Sequence, residues 1–209
     1  YGWVKGKSIK KALSKHKGKK YIYCFDIRSY FDSVTNRKIF NLFCFKLKCS
    51  PEISRLITRL CTYKYMLPQG SPCSPVLANL ILYDFDMEIG SYITNKYQGE
   101  YTRVGDDIII SSDYLIPDLD GIVFRRLKVR SLRMNRAKTK MGTLQKNGIT
   151  ALGVIIGSGI SVSRKYRREV RAILYNAKKT GLNRQNHLGR YNFKDHIRGR
   201  VEFIKTYNP

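Results

Sequence analysis

Tyr101-Thr-Arg-Val-Gly-Asp-Asp-Ile-Ile-Ile-Ser-Ser112 reads as two β-strands joined by a tight turn that holds adjacent carboxylates at its tip. Gly105 suits the positive φ of a short hairpin loop, and Ile108, Ile109 and Ile110 are β-branched residues that pack best on a pleated, buried surface. Neighbouring aspartates beside an apolar run are costly unless cations neutralise them, and divalent ions held by carboxylates together with substrate phosphates are a common solution. Gly-Asp-Asp alone is also an ordinary surface turn. The reading therefore depends on a further carboxylate, and Tyr21-Ile-Tyr-Cys-Phe-Asp-Ile27 supplies one: a run with the pattern of a buried strand ends on Asp26, and aspartate is seldom buried without a partner. Strands that bring Asp26 to Asp106 and Asp107 would form a three-carboxylate cage for two metal ions about 3.5–4 Å apart, the arrangement suited to in-line phosphoryl transfer.

The chain has 209 residues, enough for one good core with a small satellite subdomain. Its 40 Lys and Arg against 15 Asp and Glu give a net charge of +25, while 43% apolar residues argue for a folded chain rather than a basic disordered tail. Self-repulsion on that scale marks a polyanionic partner. Cys24, Cys44, Cys49, Cys61 and Cys73 are odd in number and lack Cys-x-x-Cys spacing, which argues against a disulfide framework and a zinc site and predicts reduced, buried thiols in a cytosol-like compartment. No apolar stretch reaches membrane-spanning length and no secretory segment opens the chain. The first residue is Tyr1 rather than Met, so the sequence is read as a fragment with elements missing before it.

Along the chain, residues 1–20 mix glycine, aromatics and cations and read as a nucleic-acid-facing segment, with Ser8 as N-cap of a short helix and His16 at the surface or on a phosphate. A helical pattern to about residue 46 places Ile39, Leu42, Phe43 and Leu47 on one face, and Pro51 opens a helix carrying Ile53, Leu56, Ile57 and Leu60. Pro68, Pro72 and Pro75 make residues 66–75 a rigid loop, in which Gln69, Gly70, Ser71 and Cys73 favour close approach of a ligand. Ser74-Pro75 fits N-cap followed by the first helical position of a helix to about residue 89. Further on come a helix over 118–132, a strand over 149–156 that turns at Gly157-Ser-Gly159 into Ile160-Ser-Val162, a basic helix over 164–180 and a last helix over 192–207. A subdomain boundary is placed near 162–164.

The order of these stretches resembles the bacterial retron-type reverse transcriptases, the broad family that includes retron, group II intron and defence-associated or diversity-generating enzymes. Phe25-Asp-Ile-Arg-Ser-Tyr-Phe-Asp-Ser33 resembles the first metal motif, Leu67-Pro-Gln-Gly-Ser-Pro-Cys-Ser-Pro75 the template and nucleotide motif, and residues 101–112 the metal hairpin. Asn135-Arg-Ala-Lys-Thr139 resembles the lysine motif and Ala151-Leu-Gly-Val154 the primer grip. The resemblance implies an α+β right-hand polymerase: a palm of antiparallel sheet backed by helices over 18–162, a small basic helical thumb over 163–209, and residues 1–17 as the remnant of fingers whose strands are missing. It implies Asp26, Asp106, Asp107 and the Ile27 carbonyl as ligands of two Mg²⁺, with Mn²⁺ as a substitute. Ser29, Tyr30, Phe31, Gln69 and Gly70 would meet the nucleotide, with Phe31 as the aromatic gate against a ribose 2′-hydroxyl. Lys138 would protonate the departing pyrophosphate, and Leu152 and Gly153 would hold the primer. The family's usual Tyr-Ala-Asp-Asp is Val104-Gly-Asp-Asp107 here, which resembles the Gly-Asp-Asp of RNA-dependent RNA polymerases.

The resemblance thus implies RNA-directed DNA synthesis from dNTPs on an RNA template, by a bacterial cytoplasmic enzyme without membrane association, of retron type or serving antiviral defence, with a cognate structured noncoding RNA as a further partner. An RNA-dependent RNA polymerase and a non-catalytic RNA-binding maturase or scaffold are the alternatives. Lys5, Lys7, Arg164, Lys165, Arg167, Arg168, Arg171, Lys178 and Lys179 are the expected nucleic-acid contacts. Because such contacts act through counterion release, affinity for an RNA–DNA duplex is expected to fall steeply between low and moderate salt. A dissociation constant that stays flat across that range, measured by filter binding, would reduce the charge to a solubility feature.

Overall fold

The computed structural model describes residues 1–143, 148–187 and 189–208. Its central strand is β1 (Tyr21–Asp26), flanked by β3 (Asp107–Ser112) and β4 (Lys140–Thr143), with β2 (Glu100–Val104) outside β3, so the order is β2-β3-β1-β4 with every pair antiparallel. Both β1 and β3 are covered on both faces, which is why neither alternates in polarity. On one face Tyr23, Phe25, Ile108 and Ile110 enter the main core with Phe85, Ile89, Ile93, Val123 and Leu127. On the other, Ile22, Cys24 and Ile109 pack with Leu13, Val154, Ile156 and Tyr207.

The helices are α1 (Ile9–Ser14), α2 (Tyr30–Ser33), α3 (Asn36–Asn41), α4 (Pro51–Cys61), α5 (Ser74–Ile81), α6 (Tyr83–Tyr97), α7 (Leu119–Val129), α8 (Arg164–Thr180) and α9 (Phe193–Tyr207). Ser8 caps α1 as expected, its Oγ accepting from the Lys11 amide at 3.1 Å. Several expectations are corrected. The helical pattern to residue 46 is α3 followed by a π-turn over Leu42–Lys46, in which the Leu47 amide donates to the Leu42 carbonyl. The extra residue rotates Leu47 out of the face it was assigned to, leaving it exposed. Helix α4 turns Ser54 and Thr58 inward, each hydroxyl donating to the carbonyl four residues back, and leaves Ile53, Leu56 and Leu60 exposed.

Ser74 lies one position inside α5 rather than at its cap, and its hydroxyl donates to the Pro68 carbonyl at 2.8 Å, closing the proline loop. The helix expected to reach residue 89 breaks at Leu82 into α5 and α6, which continues to Tyr97. Residues 149–156 form a hairpin rather than one strand: β5 (Ile149–Ala151) turns through Leu152 (φ +52°) and Gly153 (φ +77°) into β6 (Val154–Ile156), which pairs in turn with β7 (Ile160–Val162). Two consecutive positive φ values are what a two-residue hairpin loop requires. Of the five free cysteines Cys24 is buried and the other four are half-buried. His16, expected at the surface, is fully buried: Nδ1 lies 2.7 Å from Ser111 Oγ and Nε2 2.7 Å from Thr102 Oγ1, and burial lowers its pKa to about 3. It is a neutral strut between α1 and the β2–β3 hairpin. Tyr207 of α9 shares the core of β1 and β3, and the Val162 amide donates to Asn208 Oδ1 at 2.8 Å, so the last helix is seated on the sheet.

Arg103 anchors the hairpin to the helical layer. Its buried guanidinium grips Asp86 of α6 through Nε (2.8 Å) and a terminal nitrogen (2.6 Å), while its other terminal nitrogen donates to Asn79 Oδ1 (3.0 Å) and to the Gly105 carbonyl (2.8 Å). The Tyr101 hydroxyl adds a bond to Asp86 Oδ1 at 2.5 Å. Removing one side of such a pair strands a buried charge, so Asp86→Ala is expected to cost about 3–5 kcal/mol in urea denaturation. The paired change Asp86→Leu/Arg103→Met is expected to cost less than Asp86→Ala alone, and equal losses would show that a stranded charge is not what makes Asp86→Ala costly.

Candidate active site

Antiparallel register places Asp26, the last residue of β1, opposite Asp107, the first of β3. Gly105 and Asp106 form the two-residue loop between Val104 and Asp107, and Gly105 has φ +66°. The Ile27 amide donates to the Asp106 carbonyl at 3.1 Å, fastening the loop to the end of β1. Asp26 is buried, and its Oδ2 accepts from Lys138 Nζ at 3.0 Å. Lys138 comes from the single-turn helix Arg136–Lys138, which is held in place by the Asn135 amide donating to the Asp26 carbonyl at 2.8 Å. Residues far apart in sequence thus meet at one end of the sheet.

Burial, followed by the charges of Asp106 and Asp26, raises the Asp107 carboxyl from its ordinary 3.8 to about 6. The Lys138 ammonium is held above its ordinary value by its hydrogen bond to Asp26. Among the described residues, however, no three His, Cys, Asp or Glu side chains stand close enough to hold a metal ion, so the expected three-carboxylate cage is not assembled in this arrangement. Like-charged carboxylates repel, and Asp26 takes the Lys138 ammonium as its countercharge. The donor set still suits a divalent cation: the oxygens are hard, and the charges of Lys138 and Lys140 only partly offset the burial and carboxylate repulsion that raise Asp107.

The other expected residues fall in several places. Ser29 is exposed at φ +45° and starts α2, from which Phe31 emerges half-buried. Tyr30 is a correction: its ring is buried in the core and its hydroxyl donates to the Ala78 carbonyl at 2.5 Å, so its side chain is not free to meet a nucleotide. Gln69 and Gly70 are exposed on the proline loop, Gly70 at φ +93° with open space where a side chain would stand. Leu152 and Gly153 form the β5–β6 turn, against which Phe203 of α9 approaches. Lys5, Lys7, Arg164, Lys165, Arg168, Arg171, Lys178 and Lys179 are exposed, whereas Arg167 is half-buried with its Nε enclosed and, among the described residues, unpartnered. Sequence reasoning missed Arg103, Asp86, Asn79 and Trp3, which surround the loop from behind. An arginine two residues before the loop on a strand facing the core was the one available signal.

Comparison with known proteins places the chain in a family. The chain is 30% identical over 206 residues to the retron Ec86 reverse transcriptase of Escherichia coli, covering 97% of this chain and 61% of that protein. It is 27% identical over 190 residues to the retron Se72 reverse transcriptase of Salmonella heidelberg, covering 87% of this chain and 50% of that one. The chain therefore spans less than two thirds of the length of these relatives. Among solved structures, telomerase from Candida albicans in complex with a telomeric RNA fragment superposes with a TM-score of 0.54 at 11% identity, covering 90% of this chain and 40% of that one, which is a likeness of fold alone. The α+β architecture with its antiparallel sheet is that of a polymerase palm, and enzymes with this fold and ancestry generally use divalent metals. Residues 1–156 match the model of the reverse transcriptase (RNA-dependent DNA polymerase) family, and the chain belongs to that family.

Proposed function

We propose that this chain carries the palm (18–162) and the beginning of a basic thumb (163–209) of a retron-type RNA-directed DNA polymerase, with residues 1–17 as the connection to fingers. In this reading it adds dNTPs to a primer 3′-hydroxyl on an RNA template in the bacterial cytoplasm, with a structured noncoding RNA as a further partner. The observation that carries the proposal is the register that sets Asp26 against Asp107, with Asp106 in the loop beside them and Lys138 on Asp26. That register brings the carboxylates that two-metal phosphoryl transfer would use to one end of the sheet, with an exposed ammonium on Asp26.

Asp26, Asp106, Asp107 and the Ile27 carbonyl would hold two Mg²⁺, or Mn²⁺ in substitution, which supply Lewis-acid stabilisation of the attacking and leaving oxygens. The protein's own work is mostly positioning. Gln69 and Gly70 present an open backbone to the incoming nucleotide, Phe31 excludes a 2′-hydroxyl, and Leu152-Gly153 supports the primer end. Lys138, exposed and long, would hold the proton for the leaving pyrophosphate from its place beside Asp26. The exposed cations of α8 and of residues 1–20 track the duplex backbone.

Primer extension on an RNA template tests the proposal: Asp26→Asn, Asp106→Asn and Asp107→Asn should each abolish dNTP incorporation while duplex affinity is kept. Extension by these variants at the wild-type rate would refute it. Lys138→Ala is expected to slow the chemical step by about 10²-fold in single-turnover kinetics, with little change in nucleotide affinity. Asp107→Asn should also raise the melting temperature in metal-free buffer at neutral pH. Its carboxyl binds a proton more tightly folded than unfolded, so ionisation above about 6 costs stability, and the advantage of the variant should vanish as pH falls through 6 towards the ordinary value of 3.8.

A further inference from the structure

Trp3 lies across both features that the proposed chemistry uses. Its indole stands edge-on to the Phe31 ring, with centroids 6.0 Å apart and planes at 88°. On the hairpin side, a methyl group placed on Gly105 would come within 2.9 Å of the indole Cη2 atom. Trp3 holds φ +56°, a conformation that bulky residues seldom adopt. It also remains 53% exposed, so burial of the ring does not explain why the backbone takes this form. The segment is tied down on both sides of the loop: the Gly2 carbonyl accepts from Asn79 Nδ2 at 2.8 Å, and a Cβ on Gly2 would meet the Gly105 amide nitrogen at 3.0 Å. Phe31 is met from another side by Tyr30, at 6.1 Å and 67°, and Tyr30 is itself fixed to the Ala78 carbonyl. One ring of this brace is buried in the core and the other is Trp3.

We propose that Trp3 is a specificity-determining positioning residue: wedged between the Gly105 backbone and the Phe31 ring, it sets where that ring stands relative to the carboxylate loop, and so how strictly a 2′-hydroxyl is refused. The inference rests on the reading of Phe31 as the gate. It also accounts for the glycine of Gly105-Asp106-Asp107 without ribonucleotide chemistry, because an alanine methyl would strike the indole and would have to take φ +66°. The residue acts through Phe31 and touches no reacting atom.

The experiment compares dNTP with rNTP incorporation in wild type, Trp3→Ala, Trp3→Phe, Phe31→Ala and Trp3→Ala/Phe31→Ala. Trp3→Ala is expected to lower discrimination about tenfold, the scale of a sub-ångström to ångström misplacement of a positioned group, with dNTP incorporation retained. Trp3→Phe should keep most of the discrimination, and the double variant should discriminate no worse than Phe31→Ala, the non-additivity expected of residues acting in series. Trp3 is the chain's single tryptophan, so its fluorescence gives a readout apart from activity: Phe31→Ala should shift the emission to the red. If Trp3→Ala does not fold, Trp3→Leu is measured in its place and read the same way. Discrimination lost in Phe31→Ala but unchanged in Trp3→Ala, or an emission spectrum indifferent to Phe31→Ala, would overturn the inference and leave the polymerase reading standing. Unchanged discrimination in both single variants would overturn the gate reading and this inference with it.

Discussion

A buried guanidinium cannot be left with open donors, and Arg103 satisfies its own by joining three elements: the carboxylate of Asp86 on α6, the amide oxygen of Asn79 on α5 and the carbonyl of Gly105 in the hairpin loop. The position of the aspartate loop is a by-product of that satisfaction. Asp106 and Asp26 repel Asp107, and burial together with that repulsion outweighs the attraction of Lys138 and Lys140, so the Asp107 carboxylate does not favour staying where it is. The stabilisation comes from behind, through Arg103 and through the burial of Ile108, Ile109 and Ile110.

The sheet obeys a similar logic. Because β1 and β3 are covered on both faces, Asp26 and Asp107 sit at the ends of strands that have little freedom to slip. A shift of one residue would exchange the two cores, moving Ile109 and Cys24 into the space of Ile108 and Phe25. Register is therefore specified by packing along the whole strand, and it fixes which side chains face one another at its end. His16 reinforces it from the turn after α1: held neutral by burial, it bridges Thr102 on β2 and Ser111 on β3, and charging it would bury a cation close to the positive charge of Lys15.

What stays outside this frame is also informative. Helix α4 faces the molecule with Ser54 and Thr58 and turns Ile53, Leu56 and Leu60 to the outside. The apolar periodicity there describes a real helix face, but in α4 that face turns outward, against the usual rule that it meets the core.

The sequence by itself determined the strands that bear the aspartates, the basic helix from Arg164 to Thr180 with Gly181 as its stop, the hairpin loop and the family resemblance, because each of these is encoded in neighbouring residues: β-branched runs, amphipathic spacing, glycines at positive φ. Tertiary structure alone decided that Asp26 faces Asp107, that Lys138 answers Asp26, that Tyr30 belongs to the core and His16 to the interior, and that Trp3 leans on Gly105 and Phe31. It also split residues 149–156 at Leu152, where a non-glycine residue takes the positive φ that β-branched neighbours had disguised. The reason is one of range. Backbone propensity and capping act over three or four residues, whereas burial of a charge or an aromatic ring depends on which distant surfaces close over it, and that follows from the packing of the whole chain.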